Sequence, residues 1–130
     1  MPYTSWIATI RNPQGNRAEQ AAQRFLMKQG LTLIARNYAW RGGELDLVMK
    51  DTDTLVFIEV RYRTQDEFGS SAESITWQKQ QKLIKTAQHF LQQHRLTDKS
   101  ACRFDIITAK PDSSRQGTLQ IGWIKNAFSA

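Results

Sequence analysis

Cysteine is nearly absent from this chain, and that scarcity excludes whole classes of protein. With Cys102 as the single thiol, no intramolecular disulfide can form. The two histidines, His89 and His94, complete no Cys/His cluster of zinc spacing. Long hydrophobic runs are missing as well. The longest lies near Leu55–Val60, far short of the roughly 20 apolar residues that span a bilayer. The opening residues, Met1-Pro2-Tyr3-Thr4-Ser5-Trp6, carry neither the basic nor the apolar segment of a secretory leader. No internal repeat, low-complexity tract or second domain is visible. The expectation is a reduced, cytoplasmic protein that does not enter a membrane.

Acidic residues are also scarce relative to basic ones. Twelve Asp and Glu stand against 18 Lys and Arg, for a net charge of +6 and a pI near 9.8. Between Glu73 and Asp98 there is no acid, while Lys79, Lys82, Lys85 and Arg95 all fall there. Asp46, Glu59 and Asp105, by contrast, sit inside apolar strand patterns. A basic rim with an acidic interior suits a metal-dependent enzyme acting on a polyanion, nucleic acid first.

What remains is ordinary globular material. The chain has 130 residues, 40% hydrophobic and 23% charged, enough for one domain with a core. Residues 1–14 read as an arm and 15–130 as the domain. From Asn16 the pattern turns helical, with Ala18, Ala21, Ala22, Phe25 and Leu26 forming one stripe and Gly30 as the stop. Glu19 lies about 100° round from Ala18 and so borders the stripe. A strand follows near Leu31–Asn37, then a bend at Arg41-Gly42-Gly43. Two apolar arms, Leu45–Met49 and Leu55–Val60, flank the polar turn Asp51-Thr52-Asp53-Thr54 and predict a β-hairpin. Thr64 to Ser74 reads as a surface loop. A second helix is expected from about Thr76 to His94, capped by Ser74 or Thr76, with Leu83, Ile84, Ala87, Phe90 and Leu91 as its core stripe. Cys102–Thr108 is a fourth strand, Lys110 to Gly117 a loop, and Leu119, Ile121 and Trp123 alternate as a last strand. Helix, three strands, helix, strand and a tail strand define an α/β fold with a mixed central sheet.

The hairpin carries the chemistry. If Lys50 pairs with Leu55, the register puts Asp46 directly across from Glu59, and Glu44 across from Arg61. Period-two alternation places Glu44, Asp46 and Val48 on one face, and Phe57, Glu59 and Arg61 together on the partner arm. Facing like charges destabilise a sheet by roughly 0.2–1 kcal/mol, and more when desolvated. Such a pair calls for a neutralising cation. Hard oxygen ligands suit magnesium or manganese, which take one or two carboxylates with water and substrate phosphate.

At these residues the chain resembles a known family. An acid on one strand, a turn, then acid-x-cation on the next is the signature of the PD-(D/E)xK superfamily with its restriction-endonuclease-like fold. Gly15-Asn16-Arg17-Ala18-Glu19, Arg41-Gly42-Gly43-Glu44-Leu45-Asp46-Leu47-Val48 and Phe57-Ile58-Glu59-Val60-Arg61-Tyr62-Arg63 resemble the YraN-type bacterial family. Phe68-Gly69, Arg103-Phe104-Asp105 and Trp123-Ile124-Lys125-Asn126-Ala127-Phe128 match too. The resemblance implies an αβββαβ core and an endonuclease hydrolysing DNA, on branched or damaged substrates. It makes Asp46 and Glu59 metal ligands, with the Val60 carbonyl helping, and Glu19 an assisting acid. Arg61 stands where the motif has lysine. Arginine keeps the charge but cannot act as a base, so it would stabilise transition-state charge, or Lys79 or Lys82 of the second helix would reach the site instead.

Each residue also has a plainer reading. Arg61 could form a structural pair with Glu44, and Glu19 could simply favour the helix dipole. Asp105 could orient a basic residue or fix the sheet edge. Arg41, Arg63, Lys79, Lys82 and Lys85 are candidate nucleic-acid contacts, or a solvated surface. His89 and His94 read as structural, Cys102 as a small buried hydrophobe, and Trp40 and Trp77 as core rather than base-stacking residues. The partner expectation is DNA before RNA, with a homodimer as an admissible assembly. The rival to a nuclease is a non-catalytic nucleic-acid-binding module or scaffold on the same fold.

Overall fold

A computed structural model describes residues 13–63 and 75–130. The expected N-terminal arm, the loop from Thr64 to Ser74 and the Phe68-Gly69 motif fall outside the described residues. Helix α1 (Pro13–Lys28) starts three residues ahead of Asn16, with a proline in the first turn, where its missing N–H is no loss. It ends as expected. Leu31 N–H bonds Leu26 O and Gly30 N–H bonds Met27 O, while Gly30 takes φ 102. That is a Schellman cap, closed by the apolar contact of Leu26 and Leu31.

Strands β1 (Thr32–Trp40), β2 (Gly43–Asp51) and β3 (Thr54–Tyr62) form an antiparallel meander. Helix α2 (Trp77–Gln93) is capped by Thr76, whose side chain accepts the Lys79 N–H, and by His94 at its other end. It carries the chain over to β4 (Ala101–Pro111), which pairs parallel to β3; β5 (Leu119–Phe128) closes the far edge antiparallel. The mixed sheet has the order β1-β2-β3-β4-β5. This is the α/β architecture expected of a restriction-endonuclease-like core.

The helices cover opposite faces. Leu83, Ile84, Ala87 and Phe90 of α2 pack with Leu45, Val48, Phe57 and Phe104. Ala22 and Leu26 of α1 pack with Leu47, Met49, Val56, Ile58 and Ile107. Hence Leu45 and Val48 share a face although three residues apart, and strict alternation through Glu44, Asp46 and Val48 does not hold. The break is shared with the neighbouring strand. The β1–β2 ladder pairs Arg36 with Leu47 and Tyr38 with Leu45, but skips Asn37 and Asp46 between them. Asn37, fully buried, takes the left-handed φ of 53 that asparagine tolerates better than most residues. Asp46 sits at this break and lines a cavity with residues from both helices.

Two apolar expectations are corrected. Cys102 is exposed, at the start of β4 near the Thr52–Asp53 turn, with its thiol bonded to Ser100 O. Trp77 opens α2 and is 67% exposed, so it is not a core residue. Trp40 is half-buried, stacked on His89 and bonded through Nε1 to Thr86. His94 stacks on Phe90 and His89 contacts the Tyr38 hydroxyl, so both histidines are packing residues.

Candidate functional site

The expected hairpin register holds from Asp51–Thr54 to Leu47–Ile58, and there the ladder stops. Beyond it the Val60 N–H donates to Asp46 Oδ2 at 2.9 Å instead of to the β2 backbone. Asp46 and Glu59 therefore meet across parting strands, not as a regular cross-strand pair. The gap is a cavity of about 250 Å³ lined by Ala18, Glu19, Glu44, Asp46, Glu59, Val60, Tyr62 and Lys79. At roughly 30 Å³ per water, it has room for about eight waters. That is room for an ion, its hydration and a phosphate.

Because the strands part here, both helices reach the same cleft from opposite faces. From α1 comes Glu19, 3% exposed. No acid lies in the first turn of that helix, so its dipole does not account for Glu19. From α2 comes Lys79, whose Nζ lies 3.6 Å from Glu59 Oε2. Burial, and then repulsion from Asp46, push Glu59 up from 4.5 to about 7 against the pull of Lys79 and Arg61. A carboxyl raised by burial and a specific charge partner in a cleft is a functional-site candidate.

The structure thus brings Glu19, Asp46, Glu59, Val60 and Lys79 together, and Glu44 beside them. Arg61 is absent from the lining and its Nε is buried without a hydrogen-bond partner, yet its charge still acts on Glu59. Arg41 lies exposed in the β1–β2 turn, and Arg63 follows β3 with its N–H on Ala109 O. Lys82 and Lys85 are exposed on α2. Sequence reasoning missed Tyr62 and the role of Asn37; the latter was readable only as the residue opposite Asp46 once the β1–β2 register is known.

The donor set is all hard oxygen, from three side chains on three elements plus the Val60 backbone, which fits magnesium or manganese better than a softer ion. Among the described residues no three His, Cys, Asp or Glu close into a ready cage. An octahedral ion that keeps several of its waters does not require one. Asp105, the other acid embedded in a strand, is elsewhere. It is fully buried and accepts from Arg103 Nε and Nη2, Trp123 Nε1 and the Asn126 N–H. Its work is structural: it holds β5 to β4 and, through Arg103, ties in Asp51 at 3.0 Å.

Fold and cleft define an α/β protein with an acidic site between parting sheet strands, approached by two helices. Within that class, the chain belongs to the uncharacterised protein family UPF0102, whose model matches residues 18–109 and so spans every residue of the cleft. A UPF0102 protein of Coxiella burnetii (strain RSA 331 / Henzerling II) is 50% identical over 114 residues, 88% of this chain and 90% of its own length. One from Methylobacillus flagellatus is 52% identical over 117 residues, covering 89% and 96%. One from Pseudomonas syringae pv. tomato is 46% identical over 124 residues, covering 94% and 97%. No helix among the described residues is long and apolar enough to cross a membrane.

Proposed function

We propose that the cleft hydrolyses phosphodiester bonds of nucleic acid, DNA before RNA, with the help of magnesium or manganese. The observation that carries this reading is the convergence of Glu19, Asp46 and Glu59 in one small cavity, with cations around it. Asp46 and Glu59, with the Val60 carbonyl, would hold the ion, and Glu19 would support it. Such an ion supplies Lewis-acid activation of water and phosphate.

The chain's own residues set up the rest. The Val60 amide fixes the Asp46 carboxylate, so its orientation is not left to rotamer averaging. Glu59 becomes an anion as pH rises through about 7, which arms the site in the neutral range. Every exposed charged side chain on the two helices is a cation: Arg17, Arg24 and Lys28 on α1, and Lys82 and Lys85 on α2, with Lys79 in the cleft itself. With Arg41 and Arg63 near the cleft end of the sheet, they would draw a polyanion toward the acids despite the local negative charge.

The test is a panel of linear, nicked, flap and four-way-junction DNAs, with RNA counterparts, incubated with magnesium or manganese. Cleavage is expected in the wild type and lost in Asp46→Ala and Glu59→Ala. Products that persist in both variants would sink the assignment. The absence of Arg61 from the cleft lining favours one second reading, a binding module that kept the fold without the chemistry. It predicts chelator-resistant, salt-sensitive binding with no product.

A further inference from the structure

We propose that Lys79, supplied by α2, is the working cation of this site: its ammonium occupies the place of the divalent ion beside Glu59 and turns to the substrate phosphate when the ion binds. This rests on the hydrolase reading above. It departs from the strand motif, in which the cation comes from β3.

Three observations support it. First, position: Lys79 lines the cleft and Arg61 does not. The Lys79 backbone is held at the start of α2 by the Thr76 cap, at 3.2 Å from its N–H, so the side chain is launched from a fixed point. Second, looseness: the 3.6 Å separation from Glu59 exceeds the about 2.7–2.9 Å of a charge-assisted hydrogen bond. The Lys79 side chain is 42% exposed while that of Glu59 is 12% exposed, so the lysine can leave at little cost and the acid cannot. Third, chemistry: an ammonium is a compact, mobile point charge suited to a phosphate oxygen. The guanidinium of Arg61 is a planar fork, its Nε is buried, and it does not line the cleft.

A stand-in cation has a signature that a structural ion pair lacks. Removing Lys79 takes away a competitor for Glu59, so ion binding should tighten while turnover collapses. A residue that merely holds the cleft together would weaken both. The pull on Glu59 also ranks Lys79 above Arg61.

The experiment titrates manganese calorimetrically into the full chain as wild type, Lys79→Gln, Lys79→Arg and Arg61→Gln. Thermal unfolding of each verifies folding, and kcat and KM are measured on the best substrate of the panel. Lys79→Gln should bind manganese about tenfold tighter and lose on the order of a hundredfold in kcat with little change in KM. Lys79→Arg should recover much of the wild-type manganese affinity, and Arg61→Gln should leave both quantities within about threefold. Weaker manganese binding in Lys79→Gln, or a larger loss in Arg61→Gln, would overturn the proposal. A wild type that binds manganese but cuts nothing sinks the hydrolase reading and the phosphate role of Lys79; the manganese shift still decides its stand-in role. A wild type that takes up no manganese overturns both.

Discussion

Two groups of strand carboxylates lie in the same sheet and are treated in opposite ways. Asp105 on β4 is fully buried and has donors on both oxygens from Arg103, Trp123 and the Asn126 backbone. Asp46 and Glu59 sit where β2 and β3 part; Asp46 accepts the Val60 N–H, while Glu59 is repelled by Asp46 and drawn by Lys79, 3.6 Å away, and by Arg61. A buried acid that serves the fold is satisfied in place, because leaving it otherwise costs several kcal/mol. Two carboxylates placed so that one raises the pKa of the other form a candidate cation site. The contrast separates the structural acid from the candidate functional ones more sharply than burial does, since Glu19 and Asp46 are also buried.

The largest expected effect lies on the structural side. Asp105→Ala leaves Arg103 without its buried partner and frees β5, and should destabilise the protein by about 3–5 kcal/mol. A thermal melt should then show Tm lower by on the order of 10–20 °C. A smaller shift than that of an exposed-acid control such as Asp53→Ala would break the comparison.

Next comes Glu59, with the opposite sign. Its carboxyl has a higher pKa in the folded state, about 7, than the ordinary 4.5, so the folded state binds the proton more tightly. Wild-type stability therefore falls as pH rises through that window and levels off above it. Glu59→Gln removes the penalty and should stabilise the protein by on the order of 2 kcal/mol near pH 8, with almost no effect near pH 4. Urea melts at the two pH values check this; destabilisation near pH 8 would mean that Glu59 is as well satisfied as Asp105.

The smallest effect tests one bond. Trp123→Phe keeps the ring that packs edge-on against Phe25 but deletes the Nε1 donor to Asp105. A loss of about 1–2 kcal/mol is expected, since the other donors to Asp105 remain. No loss in a denaturant melt would show that the indole contributes packing alone.

Much of the scaffold was legible from residues because local signals agreed with one another. The stripe Ala18, Ala22 and Leu26 ended at Gly30, and Thr76 capped the stripe of Leu83, Ala87 and Phe90. The polar turn fixed Lys50 opposite Leu55, and the register followed. The placement of Asp46 and Glu59 at one end of that hairpin was equally readable.

What could not be read depends on contacts between distant segments. The broken alternation at Asp46 coincides with the left-handed Asn37 on another strand. The entry of Lys79 rather than Arg61 depends on where the crossover helix begins relative to the gap between strands. Cys102 looked like a core residue by type, yet it falls near the sheet end beside the Thr52–Asp53 turn. Trp77 fits the helical stripe of Ile84 one heptad on, but lies exposed at the helix start.

The central claim is that the repulsion between Asp46 and Glu59 is resolved by a divalent cation. It is tested most directly by paramagnetic-resonance titration of manganese near pH 8, which reads free ion, in the wild type and in Asp46→Asn. Asparagine keeps an acceptor for the Val60 amide but removes the charge. The account predicts saturable loss of the free-manganese signal at one ion per chain in the wild type, and an affinity at least about tenfold weaker in the variant. Equal uptake by both proteins, or none by the wild type, would contradict it.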